Sequence, residues 1–243
     1  MAKRIGILAG AVLAGAVLAG AVAGPAASGG KFAPPAGCEV YVTVQLRSCQ
    51  VSQHYRCASE PEGYQWAVYS DGEGPYFMSQ TDAETRWVDS IDLFIGERDR
   101  LISEADPASF TTLISGGRDD FDFRTQSDRG EIRRYVGHDV LTGERVTIDG
   151  VELERTRFDL MAMTEDGTMI WRRKGQQLIN RDWRVFFGDR EIFENDAGEQ
   201  SEGIDTPVLF AAPGEPGYLD NTPAYDCDVV TAQALPPSGR NGS

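Results

Sequence analysis

Residues 144–179 read ERVTIDGVELERTRFDLMAMTEDGTMIWRRKGQQLI. Asp-Gly pairs at 149–150 and 166–167 each separate two apolar runs, and both residue types tolerate the positive φ that a hairpin turn needs. A third pair of this kind lies at 71–72. Because these spacings leave no room for the helical crossovers that parallel strands require, the sequence predicts an antiparallel sheet.

Candidate strands lie between turn signals along the whole body of the chain. Segments 127–130 and 141–144 have the composition of further turns. Apolar and polar residues alternate over 39–48, which predicts a half-buried first strand. The other eleven predicted strands are 64–70, 75–80, 85–92, 98–103, 120–126, 131–140, 144–149, 151–163, 168–179, 182–194 and 206–212. Together they predict a mainly β fold, an antiparallel meander that forms a curved sheet, a barrel or a sandwich.

The predicted strand 151–163 contains an irregularity. Val151 and Leu153 occupy odd positions, whereas Phe158, Leu160 and Ala162 occupy even positions. Because side chains alternate between the two faces of a strand, this change predicts a β-bulge or bend near 155–157.

One short helix is predicted at about 107–115. Asp106 is a good N-cap, and Pro107 suits the first helical position. The glycines at 116–117 supply a stop signal. The apolar residues able to face the sheet are Phe110, Leu113 and Ile114.

The four cysteines, Cys38, Cys49, Cys57 and Cys227, predict two disulfides. A strand over 39–48 would hold Cys38 and Cys49 more than about 30 Å apart, which disfavours that pair. We prefer Cys49–Cys57 with Cys38–Cys227, and the remaining alternative is Cys38–Cys57 with Cys49–Cys227. Either pairing joins the two ends of the domain, and no cysteine remains for metal binding or nucleophilic chemistry.

The first 23 residues have the pattern of a secretory signal peptide. Lys3 and Arg4 precede a long uncharged run of small and apolar residues, and Ala21 and Ala23 suit signal peptidase. The alternative is a retained transmembrane anchor, because about 18 apolar residues can span a bilayer. However, much of the run is Ala and Gly, which partition weakly into hydrocarbon, so we predict cleavage and no stable membrane anchor afterwards.

Four parts of the chain are therefore predicted. They are a signal peptide over 1–23, a Gly/Pro/Ala linker over 24–37, a single antiparallel β domain over 38–228 and a disordered C-terminal tail over 229–243. Cleavage would leave 220 of the 243 residues, enough for one domain with a sizeable core. The expected location is periplasmic or secreted.

The net charge limits the class of partner. The chain carries a formal charge of −15 at pH 7. An acidic surface repels phosphate backbones and anionic lipid heads, so neither nucleic acid nor peripheral membrane binding is expected.

Residues suited to catalysis or metal binding are few. His54 and His138 are the two histidines, and neither has the sequence context of a hydrolytic triad. Asp120 and Asp122 share one face of a predicted strand and could act as an acid and a base, but a charged strand that follows a loop explains them better. The sequence therefore predicts no catalytic residue, no metal site and no cofactor.

Large apolar and cationic side chains are the best candidates for ligand binding. Tryptophans on a curved sheet can line a cavity, and a positive cluster in an acidic protein can receive an anion, although core packing and self-neutralisation are the favoured interpretations of the two groups. The candidate ligand-binding residues are Trp66, Trp87, Trp171, Trp183, Arg172 and Arg184.

Several short motifs carry a resemblance to a known group of proteins. They are DPASF at 106–110, LTGE at 141–144, IDGVEL at 148–153, PGEPG at 213–217 and YDC at 225–227. Together they resemble uncharacterised exported β-rich proteins of Gram-negative bacteria, over most of the mature chain. The resemblance implies a periplasmic location. It transfers no functional residue, because that family has no assigned activity.

Three functions are compatible with these features. The favoured one is an exported, disulfide-stabilised, non-catalytic periplasmic protein that binds a small apolar ligand or an envelope protein. The second is a periplasmic hydrolase that uses carboxylates such as Asp120 and Asp122. The third is a structural component of the envelope.

Overall fold

A computed structural model describes residues 32–228. The predicted signal peptide (1–23), most of the predicted linker (24–37) and the predicted tail (229–243) therefore lie outside the described residues. Within the described part, none of the helical structure is long and apolar enough to cross a membrane.

The described residues form thirteen strands and one helix. The strands are β1 (Cys38–Leu46), β2 (Gln50–Cys57), β3 (Gln65–Ser70), β4 (Pro75–Thr81), β5 (Trp87–Asp92), β6 (Glu97–Asp106), β7 (Arg118–Ser127), β8 (Ile132–Ile148), β9 (Val151–Met163), β10 (Met169–Asn180), β11 (Val185–Asn195), β12 (Gln200–Ile204) and β13 (Pro207–Ala211). The helix, α1 (Phe110–Gly116), connects β6 to β7.

All thirteen strands belong to one antiparallel sheet. From β1 to β12 each strand pairs with the next along the chain, and β13 returns to pair with the free edge of β1. Only Asp205 and Thr206 connect β12 to β13, although these strands lie at opposite ends of the sheet. The sheet must therefore curl until its two ends approach each other, without closing. The prediction of a mainly β curved antiparallel sheet with one short helix is confirmed.

Most predicted strand positions agree with the structure to within a few residues, with three exceptions. Strand β2 was not predicted, and β12 occupies a segment whose acidic composition is typical of a loop. The predicted turn at 141–144 lies inside β8, where the pairing with β9 is irregular between Leu141 and Arg145. This bulge lies opposite Arg155, so the predicted bend is present, but the extra residues belong to the partner strand.

The helix begins later than predicted. Its N-cap is Ser109, whose Oγ accepts a hydrogen bond from the backbone N–H of Thr112, whereas Asp106 is the last residue of β6. Gly117 ends the helix with φ of 81°, as the glycine signal indicates. Phe110 and Leu113 are buried against the sheet, as predicted.

The disulfides join Cys38 to Cys57 and Cys49 to Cys227, so the preferred pairing was wrong and the alternative is correct. Strands β1 and β2 form a hairpin that places Cys38 directly opposite Cys57. Cys49 lies at the hairpin turn, and the length of β2 separates it from Cys57 by more than about 20 Å. The same distance criterion that excluded Cys38–Cys49 thus excludes Cys49–Cys57 once β2 is recognised as a strand.

A C-terminal arm, residues 212–228, lies along the outer face of β1 and β2. Gln53 donates a side-chain hydrogen bond to the carbonyl of Asp220 at 2.8 Å, and Gln45 donates one to Thr222 at 3.0 Å. Tyr218 Oη donates to the carbonyl of Val40 at 2.8 Å. Together with the Cys49–Cys227 bridge, these bonds fasten the arm and cover polar side chains that would otherwise face water.

The main hydrophobic core lies on the inner face of the sheet, where the two ends approach each other. Strand β1 contributes alternate residues to it, and β9, β10, β11 and β13 supply the opposing side chains. The fully buried members are Val42, Val44, Leu46, Leu153, Leu178, Phe187 and Phe210. Burial of this apolar surface is what holds the curled sheet together at this end.

Candidate functional site

The remainder of the concave face is not filled, and it encloses a cavity of about 770 Å³. Small side chains keep one wall of this cavity open. Ala67, Ser79 and Ser90 are cross-strand neighbours on β3, β4 and β5, and this row runs from His54 on β2 to Asp99 on β6. All five residues line the cavity.

Aromatic side chains form much of the cavity wall. Phe123 and Tyr135 are stacked with ring centroids 5.0 Å apart, and Trp87 meets both rings edge-on. Trp171 contacts Tyr135 on the other side, at 5.9 Å between centroids. Such a wall offers flat apolar surface to a ligand.

The cavity reaches the surface beside the hairpin between β5 and β6. Phe94 lines the cavity but is 67% exposed, and its ring stacks on Tyr76 at 6.1 Å. Leu93 and Ile95, on either side of Phe94, are also exposed. Exposed apolar side chains at an opening are typical of an entrance for apolar molecules.

The charges that line the cavity are mostly negative. Its two cationic groups are Arg133 and Arg173. Its seven carboxylates are Asp89, Asp92, Asp99, Asp119, Asp139, Glu191 and Asp205. Asp89 is paired with Arg98, and the other six carboxylates still outnumber the two arginines, so the cavity favours cations over anions.

Ion pairs neutralise part of this negative charge. Arg133 donates to Asp99 at 2.8 Å and to Glu97 at 2.6 Å. Burial still raises the pKa of Asp99, although the Arg133 charge opposes that effect. Arg173 lies 3.6 Å from a carboxylate oxygen of Glu191, and its guanidinium contacts the Trp171 ring.

Asp119 and Asp139 form the least compensated part of the lining. They face each other across β7 and β8, and both line the cavity. Asp119 accepts a hydrogen bond of 2.8 Å from the backbone N–H of Ser109. Asp139 Oδ1 is shielded from solvent and has no hydrogen-bond partner. Burial, and then the charge of Asp119, raise the pKa of Asp139 to about 7.

Three of the six predicted ligand-binding residues border the cavity, namely Trp66, Trp87 and Trp171, but the Trp66 ring stacks on Tyr55 on the other face of the sheet. The other three do not. Trp183 packs in the hydrophobic core against Phe187 and Phe210.

The two predicted arginines are engaged elsewhere. Arg172 lies on the outer face, where it pairs with Asp159. Arg184 binds the carbonyl of Ala83 and the carboxylate of Glu84. The cavity instead contains Arg173, the neighbour of Arg172 on the opposite face of β10.

Asp120 and Asp122 lie on the outer face and do not reach the cavity. Each is held by an arginine, Asp120 by Arg118 and Asp122 by Arg134, and these hydrogen bonds lower the pKa of each carboxyl. His138 lies opposite Asp120 on the same face. Both carboxylates are therefore paired with arginines on a charged outer surface.

His54 is buried on the inner face of β2, where its Nε2 lies 3.0 Å from Ser52 Oγ. Burial lowers the pKa of this imidazole to about 3, so the ring is neutral. Phe187 packs edge-on against it at 5.3 Å. Within residues 32–228, no group of three or more His, Cys, Asp or Glu side chains is arranged to hold a metal ion.

The sequence does contain a signal for the inward face that carries Asp119 and Asp139. That face is opposite to the one that carries Asp120 and Asp122. Phe121 and Phe123 are buried, and residues at odd positions of β7 share their face. Asp119 therefore faces inward with them. The pairing of Asp119 with Asp139 depends on the register between β7 and β8, which the sequence alone does not fix.

Comparison of the chain with protein-family models, with curated proteins and with solved structures gives no match.

Proposed function

We propose that this is an exported, disulfide-stabilised, non-catalytic binding protein that holds a small, partly apolar ligand on the concave face of its sheet. The observation that supports the proposal best is the cavity of about 770 Å³, which lies in the size range of small-molecule sites. A site of this kind needs apolar walls and a few polar groups, and the lining has both.

Two disulfides support the part of the proposal that concerns location. Structural disulfides persist in oxidising compartments such as the periplasm or the extracellular space. All four cysteines are paired, which agrees with maturation after export. The leader and its cleavage belong to this proposal as well.

The cavity favours a ligand over an envelope protein as the partner. The aromatic wall of Phe123, Tyr135 and Trp171 faces the inside, where a small molecule can reach it and a folded protein cannot. The exposed apolar side chains of the β5–β6 hairpin lie at the opening that leads to this wall. A small molecule can enter beside Phe94 and reach that wall.

The test is binding of N-phenyl-1-naphthylamine, an uncharged aromatic probe that fluoresces in apolar surroundings. Ser79→Phe places a ring in the middle of the row of small residues and should abolish binding. Ser103→Phe is the matched control, because Ser103 is exposed on β6 and does not line the cavity. Saturable binding by wild type and the control, but not by Ser79→Phe, is expected. Equal binding by all three proteins, or none by folded wild type, would reject the proposal.

A further inference from the structure

We infer that the ligand carries a positive group, of the amine class, and that the Asp119–Asp139 pair binds it. This inference rests on the proposed function and adds the chemical class of the ligand. Its basis is the unpartnered oxygen of Asp139 in a cavity whose charged lining residues are mostly acidic.

The two carboxylates lack a cation of their own. Burial raises the pKa of the Asp119 carboxyl, the hydrogen bond from Ser109 lowers it, and the negative charges of Asp106, Asp120 and Glu84 raise it further. The group whose charge acts on Asp139 is again Asp119. Two facing carboxylates without a counter-ion repel each other when both are ionised. A ligand cation would offset this repulsion and would also attract both carboxylates.

The surroundings of the pair suit an organic ammonium group. Phe121 follows Asp119 on the inner face of β7, and Phe158 lies directly opposite Asp139. Phe110 and Leu113 of α1 also line this part of the cavity. Aromatic rings attract cations through their negative faces, and carboxylates accept the N–H bonds of an ammonium. An amine attached to an apolar body would satisfy both kinds of surface.

The unpartnered oxygen of Asp139 calls for a ligand group that donates a hydrogen bond to it. The free Oδ1 can only accept a hydrogen bond when the carboxylate is ionised. A ligand carboxylate or phosphate brings no donor and would add negative charge. An alcohol brings one donor without charge, whereas an ammonium brings up to three donors and the charge.

The experiment compares three probes that share a ring: 2-naphthylmethylamine, 2-naphthylmethanol and 2-naphthoate. Dissociation constants are measured by calorimetry at pH 8 on the full mature protein. The amine is expected to bind at least about tenfold more tightly than the alcohol, as a buried charge-assisted hydrogen bond implies, and the naphthoate most weakly. Asp139→Asn should remove the preference for the amine while retaining alcohol binding.

Asp122→Asn is the matched control, because it removes a carboxylate of the same strand on the outer face, where Arg134 holds it. It should leave the preference unchanged. Thermal unfolding confirms that each variant is folded, and Asp119→Asn provides a second test if Asp139→Asn does not fold. Equal affinity for amine and alcohol, or a preference that survives both inward substitutions, would overturn the amine site while leaving the cavity as a binding site. If none of the three probes binds, the proposed function fails, and the amine site fails with it.

Discussion

The two halves of the inner face are built from similar strands but differ in what fills them. At the end formed by β1, β10 and β13, side chains such as Val44, Leu178 and Phe210 leave no space, and the arm covers the outer surface. Around β5–β9 and α1, the inner face is left open, and carboxylates lie among aromatic rings.

Buried polar groups show a second difference, between the outer face of the packed end and the inner face of the open half. At the packed end the buried Thr43 Oγ1 donates to Gln53 at 2.6 Å and also accepts from the backbone of Leu219. In the cavity half the ionisable side chain of Asp139 has an oxygen without a partner, whereas the unpartnered oxygen of the arm, Asn221 Oδ1, belongs to an uncharged amide. Unsatisfied buried groups cost stability, and native proteins retain them at functional or strained sites. The packed end therefore stabilises the fold, and the open half is suited to binding.

The largest effect should come from the bridge that fastens the arm. Cys49→Ser with Cys227→Ser opens a connection between residues 178 apart and should cost about 5 kcal/mol, whereas Cys38→Ser with Cys57→Ser opens one of 19 and should cost about 3 kcal/mol. Urea unfolding under oxidising conditions measures both. A smaller loss for the Cys49–Cys227 pair than for the other would contradict the stabilising role of the arm.

Two buried groups on the inner face, Asp139 and His54, should respond to pH with opposite signs. Burial raises the pKa of Asp139 to about 7, so its ionisation destabilises the folded state as pH rises from about 4 to about 7. Burial lowers the pKa of His54 to about 3, so stability is lost as pH falls from about 6.5 to about 3. Each effect is on the order of 4 kcal/mol over its full window, since one pKa unit corresponds to about 1.4 kcal/mol.

Single variants separate these two effects. Asp139→Asn should raise the free energy of unfolding relative to wild type at pH 8 but not at pH 4. His54→Gln should improve the stability at pH 4 relative to that at pH 7. Denaturant unfolding at a series of pH values measures both differences. Parallel pH profiles for wild type and either variant would show that the corresponding group is not buried as described.

A matched pair of leucines compares the halves directly. Leu178 belongs to the packed core and Leu160 lines the cavity. Leu178→Ala should cost about 3 kcal/mol because it creates a new void, and Leu160→Ala should cost less because it enlarges a space that already exists. Affinity for N-phenyl-1-naphthylamine should change only in Leu160→Ala. The reverse order of stability losses would contradict the division into packed and open halves.

The smallest effect is expected on the outer face. Asp120→Asn removes one partner of an exposed pair with Arg118, and surface ion pairs contribute little to stability. We expect no resolvable shift of the unfolding midpoint and no loss of probe binding. Loss of binding in this variant would show that the Asp120 carboxylate contributes to binding although it faces outward.

Much of the sheet was predictable because local rules determine it. Asp149 and Gly150 form the turn between β8 and β9 with φ of 49° and 80°, as an Asp-Gly hairpin requires. Strand β9 begins and ends where the alternation predicts. The helix N-cap could not be placed as well, because Asp106 and Ser109 are both good caps and the pairing of β6 with β7 decides between them.

The site was less predictable because it depends on contacts between distant segments. Gln50–Cys57 is polar enough to resemble a loop, and it becomes a buried strand only because the arm and β3 cover it. That one segment determined the disulfide pairing. Similarly, whether Arg172 or Arg173 lines the cavity depends on which face of β10 turns inward. The neighbouring Trp171 does not decide this, because a tryptophan is compatible with either face.

The most direct test of the division between packed end and open half is a crystal structure of the protein with N-phenyl-1-naphthylamine bound. Electron density for the probe is expected inside the curled sheet, against Trp87, Tyr135 and Trp171, with the packed end unchanged. Density for the probe on the outer surface or under the arm, with the concave face empty, would contradict the central claim.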